Sequence, residues 1–411
     1  MIRARFALAG LLALAACGPP RPVVAPRPVP MQPTLTLNGA RPREVGMDDG
    51  LPARLDSIVA AALADRAAPA IAVAVGRWGR LLYLKGGGAV DWAPGSAAVT
   101  DSTLFDMASV TKVVATTTAA AMLEEAGRLD LDRPVHEYLP ELTDSAKAGI
   151  TVRMVLEHRG GFEAGASLYR TYRGREQYLE QINLRPLAYA PGTKTIYSDW
   201  DLVLVQLVVE RISGEPLDAF VARRVFAPLG MRDTRFNPDP ALLPRIAATE
   251  RDSARGGLIW GSVHDPNAYA MGGVAGHAGL FSSARDMAVF AQMLLNGGHY
   301  GGVRILRPET VARWTAPQFL GSSRAIGWDT PSGKSSAGHY FGPRSYGHTG
   351  YTGTSIWIDP ERGLFVVLLT DRVNPTSANE KHVALRRAVA DAVQQAVLDA
   401  PLVDWEAMRT P

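Results

Sequence analysis

The chain has 411 residues, 47% hydrophobic and 20% charged, which is enough apolar material for one large domain or two intimately packed ones and excludes a chain disordered throughout. Its 43 basic residues nearly balance 40 acidic ones, giving a formal net charge of +3 with no basic run, and nothing in that balance predicts a nucleic-acid partner. The single cysteine, Cys17, excludes an intrachain disulfide and a cysteine-based metal cluster.

Residues Met1 to Cys17 carry Arg3 and Arg5, then an apolar stretch from Phe6 to Leu14, then Ala15, Ala16 and Cys17. This reads as a signal peptide, too short to span a bilayer as a stable helix. The Leu14-Ala15-Ala16-Cys17 ending resembles a bacterial lipobox, which implies cleavage before Cys17 and lipidation of its thiol; the alternative is an ordinary secretory signal cut nearby. Seven prolines between Pro19 and Pro33 favour extended polyproline II, so residues 18–42 are expected to form a semi-rigid tether. The folded part is expected over 43–400, anchored to the cell envelope on its periplasmic side or at the outer membrane and otherwise soluble.

Helical spacing of Leu55, Ile58, Val59, Ala62 and Leu63 predicts a first helix over 51–66. Ala70 to Val75 and Leu81 to Leu84 flank Trp78-Gly79 as two strands flank a turn, which predicts a hairpin. Helical patterns follow over 113–126, 200–212, 217–226 and 287–295. A second strand-turn-strand signal covers Thr354 to Ile358 and Leu364 to Leu369, and a helix is expected over 380–398. Strands at both ends and helices between them are the expectation.

Among six lysines only Lys112 has a serine three residues before it. On one helix face those two side chains meet, and a serine hydroxyl needs such a base to become a nucleophile. The alternative is that Ser109 caps a helix and Lys112 is exposed. The nucleophile reading requires burial and nearby positive charge to keep the Lys112 amine neutral.

Tyr197-Ser198-Asp199 and His348-Thr349-Gly350 follow in order. With them stand Thr103 to Ala108 before the serine, Pro191-Gly192-Thr193, Ala227 to Met231 and Gly279 to Met287. This chain resembles the serine β-lactamase and penicillin-binding-protein superfamily, in its class C, esterase and D-aminopeptidase-like branch, over residues 45–395. The resemblance implies an α/β (α+β) fold: a mainly antiparallel sheet flanked by helices, built from about 43–130 and 275–400, with a helical lobe inserted at about 131–274. It implies Ser109 as the acyl-accepting nucleophile, Lys112 as its base, Tyr197 as proton donor to the leaving group, and the amides of Ser109 and Tyr351 as oxyanion hole.

Asp199 stands where many relatives carry Asn, and His348 where many β-lactamases carry Lys; with Thr349 and Gly350 these are expected to meet substrate. A histidine is a cation only when protonated, which lowers the expectation of antibiotic hydrolysis. Tyr197 as a core aromatic and His348 as a structural histidine are the bland alternatives. His264 and His277 sit among glycines on tight loops, as substrate contacts or as loop-stabilising hydrogen-bond partners. A metal role is disfavoured because the eight histidines show no paired ligand spacing. No cofactor is implied.

The function expected is a serine hydrolase working through an acyl-enzyme on a peptide or amide bond of cell-wall-derived peptides. A promiscuous carboxylesterase with weak β-lactamase activity and a slowly deacylating penicillin-binding sensor are the alternatives. The substrate is expected to be a small molecule or peptide; its identity and the oligomeric state depend on loop shape and surface, which the sequence does not specify.

Overall fold

The computed structural model describes residues 36–319 and 322–409. The signal segment, Cys17 and residues 18–35 of the proline-rich stretch lie outside the described residues. Asn38–Gly39 (β1), within the stretch expected as tether, pairs in parallel with Arg80 and Leu81.

Alternation builds the central sheet. Ala70–Arg77 (β2) and Arg80–Gly88 (β3) form the expected hairpin, and Trp78 and Gly79 both take positive φ, 50° and 75°, as a two-residue turn matched to strand twist requires. Tyr346–Thr349 (β4), Ser355–Asp359 (β5) and Leu364–Thr370 (β6) complete six strands in the order β1-β3-β2-β6-β5-β4. All neighbours except β1 and β3 run antiparallel.

Successive side chains leave opposite faces of a strand, so Ile71, Val73 and Val75 point one way and Ala70, Ala72 and Ala74 the other. The branched set packs with Leu51 and Leu55 of the first helix, Leu51–Ala64, and with Leu385, Val389 and Val393 of the last, His382–Gln395. The alanine set joins Met287, Phe290 and Ala291 of the helix Ala284–Leu295. Full burial of one such Val, Leu or Phe contributes about 1.5–3 kcal/mol, so both faces are held by apolar burial.

The inner cluster continues from the sheet into the helical lobe, where it takes in Val155, Trp200, Leu204 and Phe220. The lobe's axis is Asp199–Ser213, in which every residue from Trp200 to Val209 is buried. Sheet and lobe thus share one core, and the groove between them is lined by residues from both. A small three-stranded sheet, Phe105–Asp106, Leu280–Ser282 and Arg235–Phe236, was not anticipated; two- and three-residue strands are too short to show a period.

Candidate active site

Ala108 takes φ 44°, a left-handed conformation unusual for a residue with a side chain, and turns the chain sharply ahead of Ser109. The buried carboxylate of Asp106 holds that turn: one oxygen accepts the Ala108 amide at 2.8 Å, the other the His264 amide at 2.6 Å. Helix follows at once, opening with the wide turns of Lys112–Thr117 and continuing as Thr118–Glu125. The Lys112 amine reaches back to the Ser109 hydroxyl at 3.0 Å, as the three-residue spacing predicts.

Lys112 is fully buried, yet its charge state differs from the expectation. The group beside it is a carboxylate and not a cation: Nζ donates to Asp199 at 2.7 Å and to the carbonyl of His277 at 3.1 Å. Burial acts to lower the lysine pKa, but Asp199 and Tyr197 outweigh it and hold the group above its usual value, so the resting amine is an ammonium. Tyr197 lies under that charge, with Nζ 4.8 Å from the ring centroid, and its hydroxyl interacts with Ser109 and Lys112. Burial raises the phenol's pKa, and the lysine offsets this only in part, so Tyr197 rests as a proton donor. Ser109, Lys112 and Tyr197 thus stand together as one cluster of proton donors and acceptors.

Two cavities meet at Ser109. The first, about 340 Å³, is lined by Tyr197, Arg324, Asp329, His348, Thr349 and Tyr351, with Arg372 and Arg386 behind them. The second, about 300 Å³, is lined by Glu250, His264, Asp265, Pro266, Tyr351 and Ser377. The backbone amides of Ser109 and Tyr351 donate to no protein group among the described residues, the condition for binding an oxyanion. Arg386 fixes the loop that carries Tyr351, donating to the carbonyls of Gly350 at 2.6 Å, Thr354 at 2.8 Å and Gly353 at 3.3 Å. Arg372 donates to the Tyr351 carbonyl at 2.7 Å. Gly350 is required there, since a Cβ would stand 2.5 Å from the Met107 carbonyl and 2.2 Å from Thr354 Oγ1.

The family model described as Beta-lactamase matches residues 55–391. The chain belongs to the β-lactamase family. A protein of Escherichia coli (strain K12) named "Putative D-alanyl-D-alanine carboxypeptidase" is 37% identical over 346 residues, 74% of this chain and 78% of the relative. One of the same name from Salmonella schwarzengrund is 36% identical over 384 residues, 84% of this chain and 88% of its own. Among solved structures, a penicillin-binding protein homolog from Caulobacter crescentus aligns with TM-score 0.68 at 19% identity, covering 84% of this chain and 98% of that one. EstCE1, a hydrolase with promiscuous acyltransferase activity, aligns with TM-score 0.65 at 22% identity over 83% and 98%. At such identities the structural likeness speaks for the fold alone. This β-lactamase-family protein is a serine hydrolase.

Not every expected residue of the family site faces substrate space. His264, His348, Thr349 and Gly350 line the cavities. His277 lines neither; its ring is bonded to Asp265 at 2.9 Å and its carbonyl to Lys112, so it serves as a loop partner. Asp199 is the ion-pair partner of Lys112 and lines neither cavity. His348 is buried, and desolvation together with Arg324 and Lys112 pushes its pKa well below the ordinary value, so it is neutral. With Nδ1 bonded to its neighbour's carbonyl at 2.8 Å, Nε2 is left without a partner.

Asp199, Asp265 and His277 bring ligand atoms within 4.8 Å of one another, a spacing a metal ion could use. The Lys112 ammonium, bonded to Asp199, already supplies positive charge at that place.

Sequence reasoning missed His158, Arg324, Asp106 and Glu250. His158, at φ 57°, packs its ring 4.6 Å from that of Tyr197, and its Nδ1 accepts the Ser198 amide at 3.2 Å. Burial pushes His158 well down and its partner Asp201, 3.2 Å away, well up, so the two form an uncharged brace behind the tyrosine. The local signal was a histidine followed within two residues by Gly160-Gly161, a pattern shared with ordinary loops.

Proposed function

We propose that this protein is a carboxypeptidase that removes a C-terminal residue from cell-wall-derived peptides, with Ser109 as nucleophile. Above the Lys112 pKa the neutral amine takes the Ser109 proton as the oxygen attacks the peptide carbonyl, whose oxygen lodges between the Ser109 and Tyr351 amides. Tyr197 gives its proton to the departing amine and recovers it from Lys112; water then repeats the sequence on the acyl-enzyme. The names of the relatives from E. coli and Salmonella agree with this reading.

The observation that carries it is Arg324. The general acid must lie on the leaving-group side, and the cavity containing Tyr197 is the one with the cations. Arg372 and Arg386 are occupied by backbone carbonyls, whereas Arg324, 5.3 Å from the Tyr197 ring, has a buried Nε with no partner and only a 3.6 Å contact with Asp329. Burial raises the Asp329 pKa, which weakens its claim on the guanidinium. A carboxylate on the leaving group would complete Arg324, taking the role that neutral His348 cannot.

Arg324→Gln is expected to lower kcat/KM for a peptide with a free C-terminal carboxylate by about 10- to 100-fold, the worth of a charge-assisted hydrogen bond. For the C-terminally amidated peptide the change is expected to stay within about twofold. Equal losses on both peptides, or turnover of esters with no turnover of either peptide, would sink the carboxypeptidase reading.

The same proposal places the protein on the cell envelope through lipid at Cys17, supported by the lipobox-like ending and the apolar stretch before it. Metabolic labelling with a fatty acid is expected to mark the full chain and to fail with Cys17→Ser, which should also leave the membrane fraction. Equal membrane retention of both would discard the anchor.

A further inference from the structure

The two cavities that share Ser109 differ in charge. The leaving-group side holds Arg324, Arg372 and Arg386. The other holds Glu250 and Asp265, and His264 is its one lining side chain able to carry positive charge. A substrate whose carbonyl sits at Ser109, with its departing amine toward Tyr197, must place its acyl portion in that second cavity.

Both carboxylates are built in. Glu250 accepts from His264 Nε2 at 2.9 Å and from the Ser377 amide at 2.7 Å, contacts that bring its pKa down to about 2. Asp265 Oδ1 accepts from His277 Nε2 at 2.9 Å and from the Ala268 amide at 2.7 Å; burial opposes its ionisation, but these partners hold its pKa at about 2. Its side chain keeps 27% exposure. The His264 ring stacks 5.8 Å from that of Tyr351, joining the acidic wall to the oxyanion-hole residue. Arg255 does not neutralise the wall: its guanidinium donates to the carbonyls of Val263 and His264 and lies 3.9 Å from the Tyr269 ring centroid. Ala108, Pro266 and Ala278 supply apolar surface between the charges.

We infer that this cavity is an acyl-side subsite for a positively charged amine, so that the preferred acyl donors are aminoacyl or peptidyl groups bearing a free ammonium close to the scissile carbonyl. Two ionised carboxylates, each partnered by one imidazole and one backbone amide, favour a cation and repel a carboxylate at the same place. Combined with Arg324, the groove is bipolar, and a substrate with ammonium on one side of the scissile bond and carboxylate on the other binds in one direction only. The inference rests on the proposed Ser109 nucleophile and on the leaving-group side assigned through Tyr197.

The test uses p-nitrophenyl esters of a series of ω-amino acids beside their isosteres in which methyl replaces ammonium. The leaving group is constant and carries no carboxylate, so Arg324 and the carboxypeptidase reading do not enter. The rate with Ser109→Ala is subtracted from each to remove spontaneous hydrolysis. The parent is expected to favour the ammonium member of at least one pair by about tenfold in kcat/KM. That ratio is expected to fall toward unity in Glu250→Gln combined with Asp265→Asn. Preference for the neutral member throughout the series, or a ratio unaffected by the double substitution, would overturn the inference. If the double variant does not fold, the parent ratio and Glu250→Gln alone, which removes the charge and keeps one of the two acceptor oxygens, decide it. Ammonium preference on esters with no peptide turnover would retain the subsite and discard the carboxypeptidase.

Discussion

Lys112→Met is expected to lower kcat/KM by on the order of 10³- to 10⁴-fold, the contribution of a well-placed general base. Ser109→Ala is expected to cost more, on the order of 10⁵- to 10⁶-fold, and the double variant no more than Ser109→Ala, since groups acting on one proton path are not additive. The physical ground is the Lys112 amine, 3.0 Å from the Ser109 hydroxyl and 4.8 Å from the Tyr197 ring centroid. The pH dependence follows with a definite sign. Burial lowers the Lys112 pKa, but Asp199 and Tyr197 raise it further, so activity is expected to increase as pH rises through that value. Asp199→Asn removes the largest charge holding the proton. The acid limb of kcat/KM should therefore move to lower pH, and a limb that stays in place would show that Lys112 is not the group whose proton limits the rate.

Arg386→Met is the second substitution with a large expected effect, although its guanidinium is engaged by the carbonyls of the loop. Its guanidinium closes three carbonyls, those of Gly350, Gly353 and Thr354, in a buried setting. Without it the Gly353 carbonyl loses its donor and those of Gly350 and Thr354 keep only their backbone partners, at a cost of about 1–3 kcal/mol in stability, moderated by relief from burying a cation. The Tyr351 amide then loses its fixed position, and removal of one oxyanion donor costs about 10²- to 10³-fold in kcat. The variant is expected to lose kcat with little change in KM, and Arg386→Lys, which keeps a donor, to recover part of it. A drop in thermal midpoint with kcat intact would reduce Arg386 to a structural role.

The parts of this protein that could be read from sequence are those encoded over a few neighbouring residues. Alternating Ala70 to Val75 and the Trp78-Gly79 turn specify a hairpin because side-chain direction and turn twist are local properties. Ser109 and Lys112 were legible because a three-residue spacing on a helix is itself a distance, and Tyr197 and the His348-Thr349-Gly350 run were legible as ordered short motifs. What needed the tertiary structure were groups of common residue type whose role lies in what they meet. Arg324 is one arginine among many until its unpartnered Nε is buried beside Tyr197. Asp106 is an ordinary acid until it ties the serine turn to His264, 158 residues away. His158 and Asp201 became an uncharged brace, and Glu250 and Asp265 a charged wall, through burial and partners that no local pattern specifies. The same holds for the proton on Lys112: the sequence placed the amine beside the serine, but its charge is decided by Asp199, 87 residues on, because a pKa depends on the field and solvent around a group and both are made by the fold.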